Sequence, residues 1–407
     1  MTSKKSTIGE IFYVTDFVAN GSFASLKENV KYLYEPNYAI LIRLTDNTKA
    51  WNGEYVYVDK DSYDFLSKSK VFPGDLIISN VGEPGIPFIV PDLGKPMTLG
   101  PNSILLRPLS SDISTEFIYY LIKSPEGQRK IFKIVSNTTI KKFNKTNFRN
   151  LELPLPCHED QLHIANILSK AESLIAQRKE CIRLLDEFLK STFLEMFGDP
   201  IANKKKWNLL QVSDYGESRL GKMLDGKKII GNNLKPYLRN ANVLWFGFKL
   251  DDLLEMDFDE KDRVEFSLRN GDILMCEGGE IGRCAIWKDE LEECYFQKAI
   301  HRIRLNKVIA LPEYFVYMFW LYTMNGGLNK YMGAATISHL TGERLKKMKL
   351  PIPPIELQTP FAKIVEKTES LKTQYQQSLQ ELENLYGSLS QKAFRGELTL
   401  KDESLLM

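Results

Sequence analysis

The chain has 407 residues, a hydrophobic fraction of 43%, a charged fraction of 26% and a formal net charge of +2. These values are typical of a globular protein and exclude an intrinsically disordered or fibrous chain. The length exceeds what one hydrophobic core usually serves, so we expect two domains and an extended element. A net charge this small does not by itself indicate a nucleic-acid partner.

No targeting or membrane segment is predicted. Residues 1–6 are polar and no apolar stretch follows them, so a secretory signal is not expected. The longest apolar run, Tyr314–Tyr322, is far shorter than the ~20 residues of a membrane span and predicts a buried helix. The five cysteines show no CxxC spacing, which predicts neither a disulfide framework nor a zinc site. We therefore expect a cytoplasmic protein without a bound metal.

An internal repeat with a constant spacing of 197 residues organises the chain. Matching segments are Phe72–Ile78 with Arg269–Met275, Thr138–Ile140 with Ala335–Ile337, Leu153–Pro156 with Leu350–Pro353, Gln161 with Gln358, and Glu172–Leu174 with Glu369–Leu371. Two copies are too few for a solenoid. We expect instead a tandem pair of domains with pseudo-two-fold symmetry, as in a homodimer. The predicted boundaries are 1–153, a first globular domain; 154–199, a long central helix; 200–350, a second globular domain; and 351–407, a long helix with a short tail.

The first globular domain is predicted to be α/β. Short apolar runs at Tyr55–Val58, Asp75–Ser79 and Ile104–Arg107 predict strands, and Thr115–Ile122 predicts a helix. A glycine-containing loop, Asn80–Gly85, follows the second of these strands. A sharp turn between strands is favoured over a phosphate cradle, because the loop has neither a Walker A pattern nor the context of a dinucleotide fold.

The two segments that follow the Pro-rich breaks have the heptad pattern of a coiled coil. The apolar positions of the first are Ile164, Leu168, Ala171, Ile175, Ile182, Leu185, Leu189 and Met196, with Arg178 and Thr192 at the remaining seam positions. The second segment keeps the same register, with Phe361, Val365, Thr368, Tyr375, Leu379, Leu382, Tyr386, Leu389 and Ala393 at its seam positions. We predict two helices of about 40 residues that pair with each other, antiparallel because of the two-fold repeat. The globular domains would then lie at opposite ends of a rod.

The second globular domain repeats the α/β pattern, with strands at Asp272–Cys276 and His301–Leu305 and a helix at Pro312–Tyr322. Residues 1–150 carry 19 Lys and Arg against 15 Asp and Glu, and residues 200–347 carry 23 against 20. Both domains are thus mildly basic. Basic residues interleave with aromatic and amide side chains at 141–149 and around 219–228, a pattern that favours phosphate and base contacts over a solvated loop.

Catalytic constellations are absent from the sequence. His158 and His163 are one residue too far apart for the zinc-protease motif. Asp272 and Glu277 could indicate a metal-dependent nuclease, but the first copy has Asn80 where the second has Glu277. No GxSxG motif and no Asn-Pro-Pro-Tyr-like methyltransferase loop occurs. We predict no catalytic residue.

Several motifs together resemble those of the specificity subunit of type I restriction-modification systems. They are Gly-Asp-Leu/Ile at 74–76 and 271–273, Gly-Glu-Ile-Gly-Arg at 279–283, Pro-Tyr-Leu-Arg-Asn-Ala-Asn-Val at 236–243, Leu-Pro-Leu/Ile-Pro before each long helix, and Ala-Phe-Arg-Gly-Glu-Leu at 393–398. No single motif is very specific, but they occur in the order that this family shows, with long helices in the corresponding places. The resemblance covers about residues 8–400.

The resemblance implies a non-catalytic DNA-recognition subunit. Each domain would read one half of a split, asymmetric double-stranded DNA target, and the paired helices would set the spacing between the halves. The implied partners are two methyltransferase subunits, which would carry S-adenosylmethionine and methylate adenine, and translocating restriction subunits. This chain itself would bind no cofactor. Two alternatives stay open: a protein-binding coiled-coil scaffold without sequence-specific DNA binding, and a nuclease or methyltransferase with its own activity.

Candidate DNA-contacting residues lie in loops beside the predicted strands, where recognition residues gather. They are Lys49, Asn80, Lys95 and Asn102 in the first domain, and Arg219, Lys222, Lys227, Arg283 and Lys298 in the second. Arg43 and Arg239 occupy matching positions and are candidates for a structural role instead.

Overall fold

The chain divides into two units, each of which combines one globular domain with part of both long helices. The structure is a computed structural model that describes residues 4–136, 138–223, 233–331 and 339–398. The first unit contains the described residues up to Arg178 and those from Ser378 onward, and the second contains those between Lys179 and Gln377. The predicted domain boundaries follow the sequence repeat instead and stay predictions.

The first unit contains two four-stranded sheets and a short two-stranded ribbon. Its strands are β1 (Lys4–Thr7), β2 (Phe12–Asp16), β3 (Ala39–Ile42), β4 (Val56–Val58), β5 (Lys70–Val71), β6 (Leu76–Ser79), β7 (Pro87–Ile89), β8 (Met97–Leu99), β9 (Ser103–Pro108) and β10 (Glu152–Leu155). One sheet is antiparallel throughout, in the order β2-β9-β6-β7. The other, β4-β3-β8-β5, is mixed because β3 and β8 run parallel. Strand β1 pairs with β10.

Short helices cover these sheets. They are α1 (Ile8–Ile11), α2 (Phe23–Asn29), α3 (Leu44–Thr48), α4 (Lys60–Phe65), α5 (Thr115–Lys123), α6 (Pro125–Phe132) and α7 (Lys145–Arg149), followed by the long helix α8 (His158–Phe197). The N-cap Ser114 side chain accepts a hydrogen bond from Phe117 N and so fixes the start of α5. Helix α5 buries Phe117 and Leu121 in one core with Leu168 of α8 and Leu389. The three strands and the helix predicted in this domain are confirmed.

Among its described residues, the second unit forms one four-stranded sheet, one three-stranded sheet and two two-stranded ribbons. Its strands are β11 (Asn208–Gln211), β12 (Gly216–Leu220), β13 (Leu234–Leu238), β14 (Val243–Leu244), β15 (Gly247–Phe248), β16 (Leu254–Asp257), β17 (Ile273–Cys276), β18 (Cys284–Ile286), β19 (Tyr295–Phe296), β20 (Ile300–Leu305) and β21 (Lys349–Ile352). Its helices are α9 (Val212–Tyr215), α10 (Glu260–Glu265), α11 (Pro312–Met324), α12 (Gly342–Lys346) and the long helix α13 (Ile355–Phe394). The strands and the buried helix predicted here are confirmed.

No helix among the described residues combines the length and apolar character that a membrane span requires.

The repeat holds at the level of strand register. The sheet β12-β20-β17-β18 has the order of β2-β9-β6-β7. Leu76 pairs with Leu106 in the first unit, and Ile273 pairs with Ile303 in the second. Both members of the pair are thus displaced by 197 residues, so the two domains share one architecture.

A buried carboxylate–guanidinium pair is also repeated. Asp75 accepts two hydrogen bonds from Arg107, at 2.9 and 2.6 Å, and Asp272 accepts two from Arg304, both at 2.7 Å. The hydrogen bonds to these carboxylates raise the pKa of both arginines. Each aspartate also accepts a hydrogen bond from the backbone N–H three residues before it. The Gly-Asp motif therefore fixes the tight turn that leads into β6 and β17.

Both long helices have the predicted length of 40 residues. In the second unit their segments run antiparallel: Phe361, near the start of α13, contacts Phe193 and Phe197 near the end of α8. Further along α13, Lys372 forms an ion pair of 2.5 Å with Asp186, which lies earlier in α8. The antiparallel pairing is confirmed for this unit, while the arrangement as a rod with pseudo-two-fold symmetry stays a prediction.

The predicted seam needs one correction at the end of α8. Thr192 and Met196 are only half-buried, whereas Phe193 and Phe197 are fully buried among Tyr314 and Phe361. A straight helix drifts by about 20° per heptad against a strict 3.5-residue repeat, so the inward face moves by one position where the helix enters the domain core.

Pro360 lies inside α13, near its start. The prolines before α8 and α13 precede the helices as predicted.

One buried glutamine ties each long helix to its domain. Gln358 Oε1 accepts a hydrogen bond from Leu311 N at 2.9 Å, and its Nε2 donates to Ile309 O and Pro353 O at 2.9 and 2.8 Å. Gln161, its repeat equivalent, makes the same three kinds of bond in the first unit. These bonds satisfy backbone groups at the junction and explain why glutamine occurs at both positions.

Candidate nucleic-acid interface

Equivalent loops meet at one edge of the four-stranded sheet in each unit. The loop after β6 meets the turn before β9, where Asn80 N donates to Asn102 O at 3.0 Å. In the second unit Glu277 N donates to Ala299 O at 2.9 Å, with both residues displaced by 197. We call this the strand-end edge: the loops after β2 and β6 and before β9 in the first unit, and the described residues of the loops after β12 and β17 and before β20 in the second.

The glycine loops of this edge are sharp turns within hairpins, as predicted. Gly82 and Gly85 have φ of 82° and 105°, and Gly279 and Gly282 have φ of 74° and 83°. These values lie in the left-handed region that residues with a side chain rarely adopt. The loops connect the antiparallel strands β6 and β7, and β17 and β18. The alternative, a phosphate cradle, finds no support in this geometry.

A groove of about 520 Å³ lies along the strand-end edge of the first unit and contains two of the four predicted residues, Asn80 and Asn102. Its walls are mostly apolar, including Phe17, Val18, Phe23, Leu26, Tyr32 and Val81. Asn80 is partly buried and its Nδ2 donates to Phe143 O at 3.3 Å. Asn102 is exposed at the tip of the turn, with φ of 67°. Asn102 is therefore better placed than Asn80 to meet a ligand.

Lys49 and Lys95 do not line this groove. Lys49 is exposed at the end of α3. Lys95 is also exposed, and its Nζ donates to Asn37 O at 3.0 Å beside the Tyr57 ring. Their DNA contacts stay predictions, but a single surface containing all four residues is not observed.

A larger groove of about 840 Å³ lies along the strand-end edge of the second unit and brings together Arg219, Lys222 and Lys298. Two of these cations already have partners. Arg219 pairs with Glu265, and Lys222 forms an ion pair of 2.5 Å with Asp262. Lys298 is exposed, and no hydrogen bond or ion pair joins its ammonium to another described residue. Lys227 lies outside the described residues.

Arg283 lies away from this groove and has a role in the glycine turn. Its Nη2 donates to Asn240 O at 2.8 Å, and its Nη1 forms an ion pair of 2.9 Å with Glu280. These contacts account for the arginine of the Gly-Glu-Ile-Gly-Arg motif. Whether it also contacts DNA stays a prediction.

Arg43 and Arg239 have the structural role expected of them. The Arg43 backbone N–H and guanidinium both donate to the buried Asp46, and those of Arg239 donate to the buried Asn242. Each guanidinium also donates to a backbone carbonyl in the same domain. Both arginines thus brace a short turn.

The groove of the second unit is mixed in charge. Asp262, Glu265 and Glu277 lie among its cations, and His301 lies at its base. His301 is 1% exposed, and burial lowers its pKa, so the imidazole stays neutral near pH 7. Its Nε2 is 2.9 Å from Leu340 O. The groove therefore presents individual charged groups rather than a uniform positive surface.

Sequence reasoning missed several residues of the first groove. Phe23 is 83% exposed, and Val18 and Tyr32 are also exposed. No local pattern distinguishes these apolar side chains from core residues, because only the tertiary fold leaves them uncovered. Of the basic segment 141–149, Lys141 and Lys142 are exposed beside Val81, but Lys145 pairs with Asp16 at 2.9 Å.

Among the described residues, no cluster of three or more His, Cys, Asp or Glu side chains could hold a metal ion. The five cysteines are unpaired.

Comparison with known proteins identifies the family. The family model described as type I restriction modification DNA specificity domain matches residues 3–184 and again residues 204–384. The putative type I restriction enzyme MjaX specificity subunit of Methanocaldococcus jannaschii is 24% identical over 360 residues, which cover 85% of this chain and 83% of the relative. The EcoKI specificity subunit of Escherichia coli K12 is also 24% identical, over 92% of this chain and 85% of its own length.

Solved structures agree at the level of the fold. The crystal structure of the type I restriction-modification system S subunit from M. genitalium matches with a TM-score of 0.57 at 16% identity, covering 96% of both chains. A structure described as concerning complex assembly in the type I system matches with a TM-score of 0.53 over 97% of this chain. With the two family-model matches, these findings show that the chain belongs to the type I restriction modification DNA specificity domain family, with one domain copy in each half.

Proposed function

We propose that this chain is the DNA sequence-recognition subunit of a type I restriction-modification complex. Each domain reads one half of a split, asymmetric target through its strand-end edge. The observation that carries this proposal is the repeated edge, where Asn80 N to Asn102 O and Glu277 N to Ala299 O are equivalent backbone hydrogen bonds, while the grooves beside them contain different side chains. Two domains with the same fold but different groove side chains would recognise two different half-sites.

The proposed complex contains methyltransferase and restriction subunits. Two methyltransferase subunits would carry S-adenosylmethionine and methylate one adenine in each half-site. That reaction requires the adenine to be swung out of the duplex, which costs a few kcal/mol. This chain supplies recognition and no catalytic group, and it acts in the cytoplasm. The exposed faces of α8 and α13 are the proposed docking surfaces for the methyltransferase subunits.

The test is a map of methylated adenines in a host that expresses this chain with its cognate methyltransferase subunit. The proposal predicts one bipartite motif, with two different specified halves separated by an unspecified spacer. A host in which no such motif becomes methylated, although the complex assembles, would contradict the proposal. A matched strain that expresses the methyltransferase subunit alone is the control.

A protein-binding scaffold without sequence-specific DNA binding is the second candidate, motivated by the net charge of only +2. The two candidates differ in the salt dependence of DNA binding by the assembled complex. Phosphate contacts make log affinity fall linearly with log salt concentration. A scaffold would show neither that slope nor a preference for one duplex sequence.

A further inference from the structure

The strand-end edges of the two domains differ in the chemistry of the side chains that remain available to a ligand. This inference rests on the proposed function and deepens it. We propose that the first domain reads an A·T base pair through Asn102 and the apolar wall of its groove, and that the second domain reads a G·C base pair through Lys298 and Glu277.

Asn102 is the exposed amide side chain of the first groove. It is exposed at the tip of the turn before β9, and its φ of 67° suits an asparagine better than a branched residue. No hydrogen bond joins its side chain to another described residue, whereas the Asn80 amide donates to Phe143 O. An asparagine amide can form two hydrogen bonds with N6 and N7 of adenine in the major groove.

The wall beside Asn102 is apolar and exposed. The exposed fractions of Phe23, Tyr32 and Val18 are 83%, 45% and 44%. Among the major-groove edges of the bases, that of thymine carries an apolar group, its C5 methyl. An A·T pair therefore presents the two features that this groove matches: the adenine edge for Asn102 and the thymine methyl for the wall.

The charges at the rim of the first groove suit DNA. Lys27 lines the groove, and the exposed Lys141 and Lys142 lie beside Val81, where Gly82 N donates to Lys141 O at 2.9 Å. Lysines placed around an apolar groove neutralise phosphates while the groove meets the base edges. This charge complementarity favours DNA over an apolar peptide as the occupant.

Among the described residues of the second groove, the Lys298 ammonium and the Glu277 carboxylate form no side-chain hydrogen bond or ion pair. Glu277 occupies the repeat position of Asn80, and Lys298 directly precedes Ala299, the repeat position of Asn102. Arg219 and Lys222 are held by Glu265 and Asp262. Lysine recognises O6 and N7 of guanine, and a carboxylate accepts a hydrogen bond from N4 of cytosine. A G·C pair offers both.

The experiment uses the assembled complex, for which the methylation motif is mapped in wild type and in single variants. Asn102→Asp keeps the size and the tolerance of a positive φ but replaces the amide donor with an acceptor. We expect it to reduce the preference for one A·T pair in the first half about tenfold, since a bidentate contact gives roughly 1–3 kcal/mol of discrimination. Lys298→Ala and Glu277→Gln should both relax the same G·C position, in the second half only.

Modified duplexes test the same contacts without changing the protein. Replacing the critical thymine of the first half with deoxyuridine removes one methyl group, and we expect about fourfold weaker binding from the roughly 0.8 kcal/mol of a buried methylene-sized group. Replacing the critical guanine of the second half with 7-deazaguanine removes N7, the acceptor proposed for Lys298. The wild-type complex should bind the modified duplex more weakly than the unmodified one. The Lys298→Ala complex, which lacks the proposed contact, should bind both duplexes with the same affinity.

Controls come from exposed residues that do not line the grooves, namely Asn150→Asp in the first unit and Lys249→Ala in the second. Both should keep the wild-type motif. A bipartite motif that Asn102→Asp and Lys298→Ala leave unchanged, in complexes that assemble normally, would overturn this inference alone. A wild-type complex that methylates no bipartite motif would overturn the proposed function itself, so the two failures are distinguishable.

Discussion

Replacing Phe361 with alanine should lower the free energy of unfolding of the second unit by about 3–5 kcal/mol, the usual cost of removing a buried phenylalanine. Phe361 is fully buried at the start of α13, and its ring lies 5.5 Å from that of Phe193 and 5.4 Å from that of Phe197. The substitution leaves a cavity where the two long helices meet the domain core. Urea unfolding of the purified chain, together with hydrogen exchange of residues 186–197, measures the effect.

A double-mutant cycle separates the energy of the contact between α8 and α13 from the cost of removing each buried side chain alone. Phe193→Ala and Phe361→Ala should be non-additive by about 0.5–1.5 kcal/mol, because the two rings contact each other. Leu357→Ala is the matched control on α13, since this side chain is 38% exposed. Additive effects of the Phe193 and Phe361 substitutions would contradict the antiparallel contact between α8 and α13 in this unit.

Replacing Asp272 with alanine should destabilise the second unit by about 3 kcal/mol. The substitution removes both hydrogen bonds to Arg304, which is partly buried, and leaves the Arg269 N–H without its acceptor. Removing one partner of a buried pair costs about 3–5 kcal/mol, and we expect the lower end because the Arg304 side chain is 29% exposed. Hydrogen exchange of β17 and β20 locates the effect.

The repeat supplies an internal comparison for this prediction. Asp75→Ala should produce a similar loss, but in β6 and β9 of the first unit. Glu343→Ala, which breaks an ion pair with Lys346 at the surface, should change stability by less than about 0.5 kcal/mol. If Asp272→Ala were as mild as Glu343→Ala, the repeated Gly-Asp motif would not be the turn-fixing element described above.

Local patterns predicted the secondary elements well where hydrophobic periodicity was strong. The strand after each Gly-Asp motif and the two 40-residue helices follow directly from runs of apolar residues between turn residues. The failure at Thr192 and Met196 has a tertiary cause: Phe193 and Phe197 turn inward because Tyr314 and Phe361 offer them an aromatic core. The heptad pattern alone contains no information about that core.

The candidate site was only partly predictable, because charge was visible in the sequence but its partners were not. Lys222 and Arg219 are predicted DNA contacts because of their type and loop position, and these contacts stay predictions. The fold also pairs the two residues with Asp262 and Glu265, which are distant in sequence. Conversely, Phe23 is uncharged and is not predicted as a site residue, and only the fold shows that it is exposed. Asn102 was predicted, and the structure adds the positive φ and the apolar wall beside it.

Each domain should read its half of the target independently of the other, and a domain exchange tests this independence. Residues 8–150 of this chain are replaced by the first domain of another member of the family, and methylated adenines are mapped in the host. We expect the first half of the motif to change to that of the donor, while the second half and the methylated adenine within it stay the same. A chimera that assembles and methylates but changes both halves, or neither, would show that the domains do not read their halves independently.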